Sequence, residues 1–201
     1  MLLEQFLQCT REPHLPELQG IINEHFLKYS VNKHSFHPLL MEYIDKVIIQ
    51  AARVGNAEVI AELIARNTEV NCQDEKGYTP LIIACYNNQY DAAKLLLEAG
   101  ANVNAQDFGG NTALMGVAFK GYPEIAELLI THGADLNLQH GNGGTALMFA
   151  AMFGRNNMVK LLLNSGADKY ILDNRGLSVL DLAAQQGNEE AITILEQETA
   201  V

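Results

Sequence analysis

The stretch Gly77-Tyr78-Thr79-Pro80-Leu81-Ile82-Ile83-Ala84-Cys85-Tyr86-Asn87-Asn88 decides the fold, because its skeleton keeps returning along the chain. Thr79-Pro80-Leu81 is followed by Thr112-Ala113-Leu114, Thr145-Ala146-Leu147 and Ser178-Val179-Leu180, each displaced from the last by 33 residues. A glycine stands two positions ahead of each (Gly77, Gly110, Gly143, Gly176). Three residues before that glycine comes Asp74, Asp107 or Asp173, with His140 in the remaining copy. One period upstream of Thr79 lies Lys46, and the frame still holds at Ile48, Ala51, Ala52, Gly55 and Leu63. A constant period of this size marks a stack of supersecondary units that bury their apolar faces against one another. The unit boundaries fall at about 46–73, 74–106, 107–139, 140–172 and 173–201.

Each recurring position has a physical reason. A Thr or Ser hydroxyl caps the free N–H groups at the start of a helix, and Pro80 suits the first helical position, where a missing donor is harmless. Small residues at Ala51/Ala52, Ala84/Cys85, Val117/Ala118, Ala150/Ala151 and Ala183/Ala184 allow neighbouring helices to approach closely. Gly55, Gly121, Gly154 and Gly187 end this first helix, and Asn88, the next residue most tolerant of left-handed backbone, replaces glycine once. A second helix follows, with Ala92, Leu95 and Leu96 in one unit and Ile125, Leu128 and Leu129 in the next at helical spacing. Gly100, Gly133 and Gly166 stop it, and a turn-rich segment such as 101–110 forms a short hairpin-like finger between units.

This frame resembles the ankyrin-repeat family, in Gly-x-Thr-Pro-Leu, the small pair, the glycine stop, the Leu-Leu run and Gly-Ala. The resemblance covers residues 46–201 and implies an all-α solenoid of about five helix-turn-helix units that binds other proteins. There are two departures. The family's His after Thr-Pro-Leu is Ile82, Met115, Met148 and Asp181 here, so apolar packing is expected to replace a Thr-to-His hydrogen bond. Glu196 holds a position occupied by Leu97, Ile130 and Leu163, and Thr199-Ala200 replaces Gly-Ala, as suits a polar closing face. The short frame without an appended domain is similar to small bacterial members of the family.

Residues 1–45 lie outside the frame. Leu18, Ile21, Ile22, His25, Phe26 and Tyr29 fall at helical spacing, and a further apolar pattern runs from Leu39 into the first unit. We expect a helical cap over Ile48, Val59 and Leu63, with a separate partner-binding arm as the alternative.

Composition narrows the function. The 201 residues carry 24 acids against 13 bases, a net charge of −11, which disfavours nucleic acid and anionic membranes. The N-terminal Met1-to-Leu7 lacks a basic region and is not expected to be a secretory signal. No run of about 18 apolar residues is present to span a bilayer. Three cysteines, Cys9, Cys72 and Cys85, have no metal-ligand spacing and suit reduced thiols in a cytoplasmic protein.

Catalytic constellations are weak. His34 and His37, near His25, could hold a metal, but no third ligand is evident, and the same histidines carry the alternative of a small-molecule or metal-binding protein. The glycine-rich His140-Gly141-Asn142-Gly143-Gly144 lacks the Lys-Ser/Thr of a phosphate loop and reads as a finger turn. His132 precedes a helix-stopping glycine and suits the helix dipole. We therefore expect no enzyme activity, no cofactor and no metal.

The resemblance places the residues just before each first-helix stop in a concave groove: Arg53, Tyr86, Asn87, Phe119, Lys120, Met152 and Phe153, with Tyr78, Phe108 and Asn111 on the fingers. Tyr86, Phe119, Met152 and Phe153 at one-unit intervals would form an apolar ladder for a protein partner, or alternatively fold back onto neighbouring helices. A monomer is expected, with self-association through the ladder as the other possibility. The acidic surface suggests a basic, partly hydrophobic partner.

Overall fold

The computed structural model describes residues 38–197. The leader pattern at 18–29, His25, His34, His37, Cys9 and the Thr199-Ala200 pair lie outside these residues. Within them the chain forms α1 (Pro38–Val54), α2 (Ala57–Ala65), α3 (Pro80–Tyr86), α4 (Tyr90–Glu98), α5 (Ala113–Lys120), α6 (Pro123–Thr131), α7 (Ala146–Met152), α8 (Asn156–Asn164), α9 (Val179–Gln185) and α10 (Glu189–Gln197). The odd-numbered helices pack in series as an inner layer. The even-numbered helices form an outer layer, each against the inner helix of its own unit. α1 passes through residues 45 and 46 without a break, joining leader and first unit in one helix.

The helix starts follow the residues. Thr79, Thr112, Thr145 and Ser178 hydroxyls accept from the N–H groups of Ile82, Met115, Met148 and Asp181 at 3.2–3.4 Å. Ile82, Met115 and Met148 are buried, so apolar packing fills the place of the family's histidine. In the last unit Asp181 instead closes a capping box, accepting from the Ser178 N–H at 2.8 Å and hydroxyl at 2.6 Å. Asn88 ends α3 at φ +59°, the left-handed backbone its sequence position requires, and Asn67 does the same for α2 at φ +58°.

The fingers are tight turns with little strand pairing. Gln106 and Thr112 form an isolated bridge, and each turn is closed by its own backbone, as in Asp107 N–H to Asn111 O at 3.0 Å. The finger carboxylates tighten this further: Asp107 Oδ1 accepts from the N–H groups of Gly109 and Asn111, both at 2.8 Å. Consecutive fingers bond directly, Phe108 N–H to Lys76 O, Gly141 N–H to Gly109 O and Asn174 N–H to Asn142 O. Gly143 shows why glycine recurs there: φ is +82°, and a Cβ would lie 2.6 Å from the Asn174 backbone nitrogen.

Side-chain ladders run beside these bonds. Gln73, Gln106 and Gln139 each donate to a carbonyl in their own finger and to one 33 residues on. Asn71, Asn104 and Asn137 each accept from the backbone N–H 31 residues on. The core is thus a rod of small contacts with Ala51, Ala84, Ala118 and Ala151 fully buried between units.

Candidate functional site

The inner helices expose the residues that precede each helix stop. Tyr86, at the end of α3, is 43% exposed, and Phe153, just past α7, 44%, while Phe119 and Met152 between them are half-buried. The ladder folds partly upon itself and stays open to solvent. Tyr86 and Phe119 lie parallel, 6.4 Å between ring centres with 4° between planes, and Phe119 meets Phe153 edge-on at 4.5 Å and 78°. Such pairs contribute roughly 0.5–1.5 kcal/mol beyond their area, which biases the rings toward this arrangement. The Lys120 ammonium sits 4.4 Å above the Tyr86 ring, and the Arg155 guanidinium donates to the Phe119 carbonyl at 3.0 Å.

The sequence-selected residues divide into two groups. Arg53, Tyr78, Tyr86, Asn87, Asn111 and Phe119 line one cavity of about 350 Å³, together with Ile82, Ile83, Asp107, Thr112, Met115, Gly116 and Phe149. Met152 lines a neighbouring cavity with His140, Met148, Phe149, Asp173 and Arg175. Phe108, 74% exposed, lies on the fingers; its ring crosses Gly77 of the preceding finger, where a Cβ would come within 2.7 Å of it. The Asn111 side chain is committed to Asp107, at 3.1 and 2.9 Å, and the Asn87 amide donates back to Ile83 O at 2.8 Å, so both serve their own loops.

Sequence reasoning passed over Gly116, Ile83 and Phe149 as lining residues. Their signal was present in the frame: Ile83, Gly116, Phe149 and Leu182 occupy one position in successive units, and the glycine breaks an apolar series.

The chemistry here is that of a surface. Burial pushes the Cys85 thiol well up from its ordinary range. Burial, with the Asp45 carboxylate beside it, does the same for Cys72, so neither thiol is an activated nucleophile. Among the described residues no group of three or more His, Cys, Asp or Glu could hold a metal ion. No described helix is long and apolar enough to cross a membrane.

An all-helical stack with an open, ring-lined inner face defines a repeat solenoid. A family model described as ankyrin repeats (3 copies) matches residues 48–140 and 114–200, and the chain belongs to the ankyrin-repeat family. Ankyrin repeats generally mediate protein–protein interaction and are generally non-catalytic. The chain is similar to Protein phosphatase 1 regulatory subunit 27 of Mus musculus, 30% identical over 96 residues, which are 48% of this chain and 57% of that protein. It is 39% identical to Ankyrin repeat domain-containing protein 49 of Drosophila melanogaster over 56 residues, 27% of this chain and 26% of that protein. Palmitoyltransferase akr1 of Emericella nidulans is 42% identical over 55 residues, which are 27% of this chain and 8% of that protein. The chain therefore spans less than two thirds of each of these relatives, and the short match to the fungal protein carries no activity across. None of the three bears on the resemblance to small bacterial members.

Proposed function

We propose that this protein is a non-catalytic module that binds a protein partner through the concave face and fingers of its ankyrin stack. The contacts are made by Arg53, Tyr78, Tyr86, Phe108, Phe119, Lys120, Met152 and Phe153, with Asn87 and Asn111 fixing the loops beneath them. The observation that carries this reading is the aromatic ladder Tyr86-Phe119-Phe153, held in register yet open at both ends. Exposed aromatic clusters are costly to leave in water, and aromatic residues dominate interface energetics. The protein acts as a cytoplasmic monomer with neither nucleic acid nor membrane among its partners. A role modulating another protein is in keeping with the mouse relative's name.

Quantitative affinity capture from the native lysate, comparing wild type with the Phe119→Asp/Met152→Asp double variant, tests this. A groove interface predicts loss of the captured protein at unchanged helical circular dichroism. Equal recovery by the two proteins would overturn it.

A further inference from the structure

Gly116 lies inside α5, where glycine weakens a helix by about 1 kcal/mol relative to alanine. Its backbone does not need glycine, since its φ is not among the positive values. Close backbone packing does not need it either: among the described residues beyond its own helix backbone and chain neighbours, the only atom a Cβ would meet within 4 Å is Cδ2 of Tyr86, at 3.3 Å. What the glycine does is leave room, for Ile83 and Phe149 fill the same position one unit to either side and the 350 Å³ cavity opens between them. That volume accepts one large apolar side chain.

Charge says what accompanies that side chain. The net charge of −11 is concentrated on the outer helices, where Glu58, Glu62, Glu98, Glu124, Glu127 and Glu190 stand against Lys94 and Lys160. The inner helices carry fewer charges: from Val47 to Val54 and through α3, α5 and α7 the charged residues are Arg53 and Lys120, while the start of α1 carries Glu42, Asp45 and Lys46 and α9 carries Asp181. Arg53 and Lys120 flank Tyr86 from the units on its two sides, and among the described residues neither pairs with a carboxylate. Asp107, which lines the cavity, spends its oxygens on Gly109 and Asn111. Acids stand closer on the first unit's side, where Glu42, Asp45, Asp74 and Glu75 border a neighbouring cavity with Arg53, so the cations a bound segment meets directly are Arg53, at the edge of that patch, and Lys120, over the Tyr86 ring.

Building on the groove reading above, we infer that the partner presents an extended acidic and apolar peptide segment. Its large apolar side chain enters the cavity over Gly116, and an adjacent carboxylate meets Arg53 and Lys120. This reverses the basic partner that overall composition suggests.

The test is selection of linear random peptides on the full chain, followed by fluorescence anisotropy of the enriched peptide. The expected sequences pair Asp or Glu with Leu, Ile, Met or Phe. Gly116→Leu, which restores the side-chain type of neighbouring units and fills the cavity, weakens binding about tenfold or more, as does Arg53→Glu/Lys120→Glu. A peptide with its acids changed to Lys regains affinity on the charge-reversed protein, and Glu127→Lys on the outer face leaves binding within about twofold. Enrichment of basic peptides that still lose affinity on Gly116→Leu would overturn the acidic partner and leave the groove reading standing. Enriched peptides indifferent to both Gly116→Leu and Phe119→Asp would overturn both. Failure of any linear peptide to enrich would overturn the extended segment, with the groove still judged by affinity capture.

Discussion

Leu147 and Leu180 hold the same position in the repeat, 33 residues apart, yet Leu147 is 1% exposed and Leu180 39%. The difference between interior units and the last one shows where burial comes from. A single helix pair cannot cover its own apolar face, so the neighbour that follows supplies the cover, and α9 has none among the described residues. Other features change at the same end. Tyr170 and Leu172, both exposed, stand where Asn137 and Gln139 continue the side-chain ladders one unit earlier. The interior caps lie under buried Ile82, Met115 and Met148, whereas the last cap uses Asp181. Interior junctions combine apolar contact with the amide ladders, whereas the last unit, where the ladder positions become Tyr170 and Leu172, relies on its capping carboxylates.

The strongest way to break that contrast is a matched truncation. Leu147→Ala should destabilise the fold by about 2–5 kcal/mol, through lost transfer energy and the cavity left behind, and Leu180→Ala by roughly 1 kcal/mol. Urea unfolding followed by circular dichroism measures both, and equal losses would mean the following unit is not what buries the interior leucine.

A second pair sharpens it at the fingers. Gly143 and Gly176 have nearly the same backbone, φ +82° and +78°, but a Cβ on Gly143 strikes the next finger whereas one on Gly176 meets nothing within 4 Å among the described residues. Gly176→Ala should lose only the conformational term, about 1 kcal/mol, and Gly143→Ala about 2–3 kcal/mol because two backbones must separate. The gap between the two melting curves isolates the contribution of finger stacking.

The smallest effect is in acid. Three carboxylates of the last unit are held below the ordinary range: Asp173 by the N–H of Leu177 and then Arg175, Asp181 by Ser178, and Glu190 by Asn156 and then Lys160. A lowered native value means that the unfolded chain takes up protons first. The stabilisation is therefore complete above the unfolded carboxylate range of about pH 4 and is lost as pH falls through the lower native values. Hydrogen exchange between pH 6 and 3, corrected for intrinsic rates, should show α9 and α10 losing protection before α5 and α7. Asp181→Asn should reduce that difference, and simultaneous loss along the whole stack would contradict the contrast.

Much of this fold is legible in the residues because its rules are local. Thr79, Thr112, Thr145 and Ser178 cap helices through bonds three residues away, and Asn88 tolerates left-handed backbone wherever it stands. The frame also brought Tyr86, Phe119 and Phe153 to one face. It could not tell that the amides of Asn87 and Asn111 are spent inside their own loops, since that depends on side-chain rotamers rather than on spacing.

The sequence by itself determined the period, the helix starts and stops and the composition of each face, all fixed by interactions within a few residues of chain. Only the tertiary structure decided which of those faces stay open. Burial of Leu147 but not Leu180, the space over Gly116 and the seat of Lys120 over the Tyr86 ring are set by contacts between units, which chain order alone does not record.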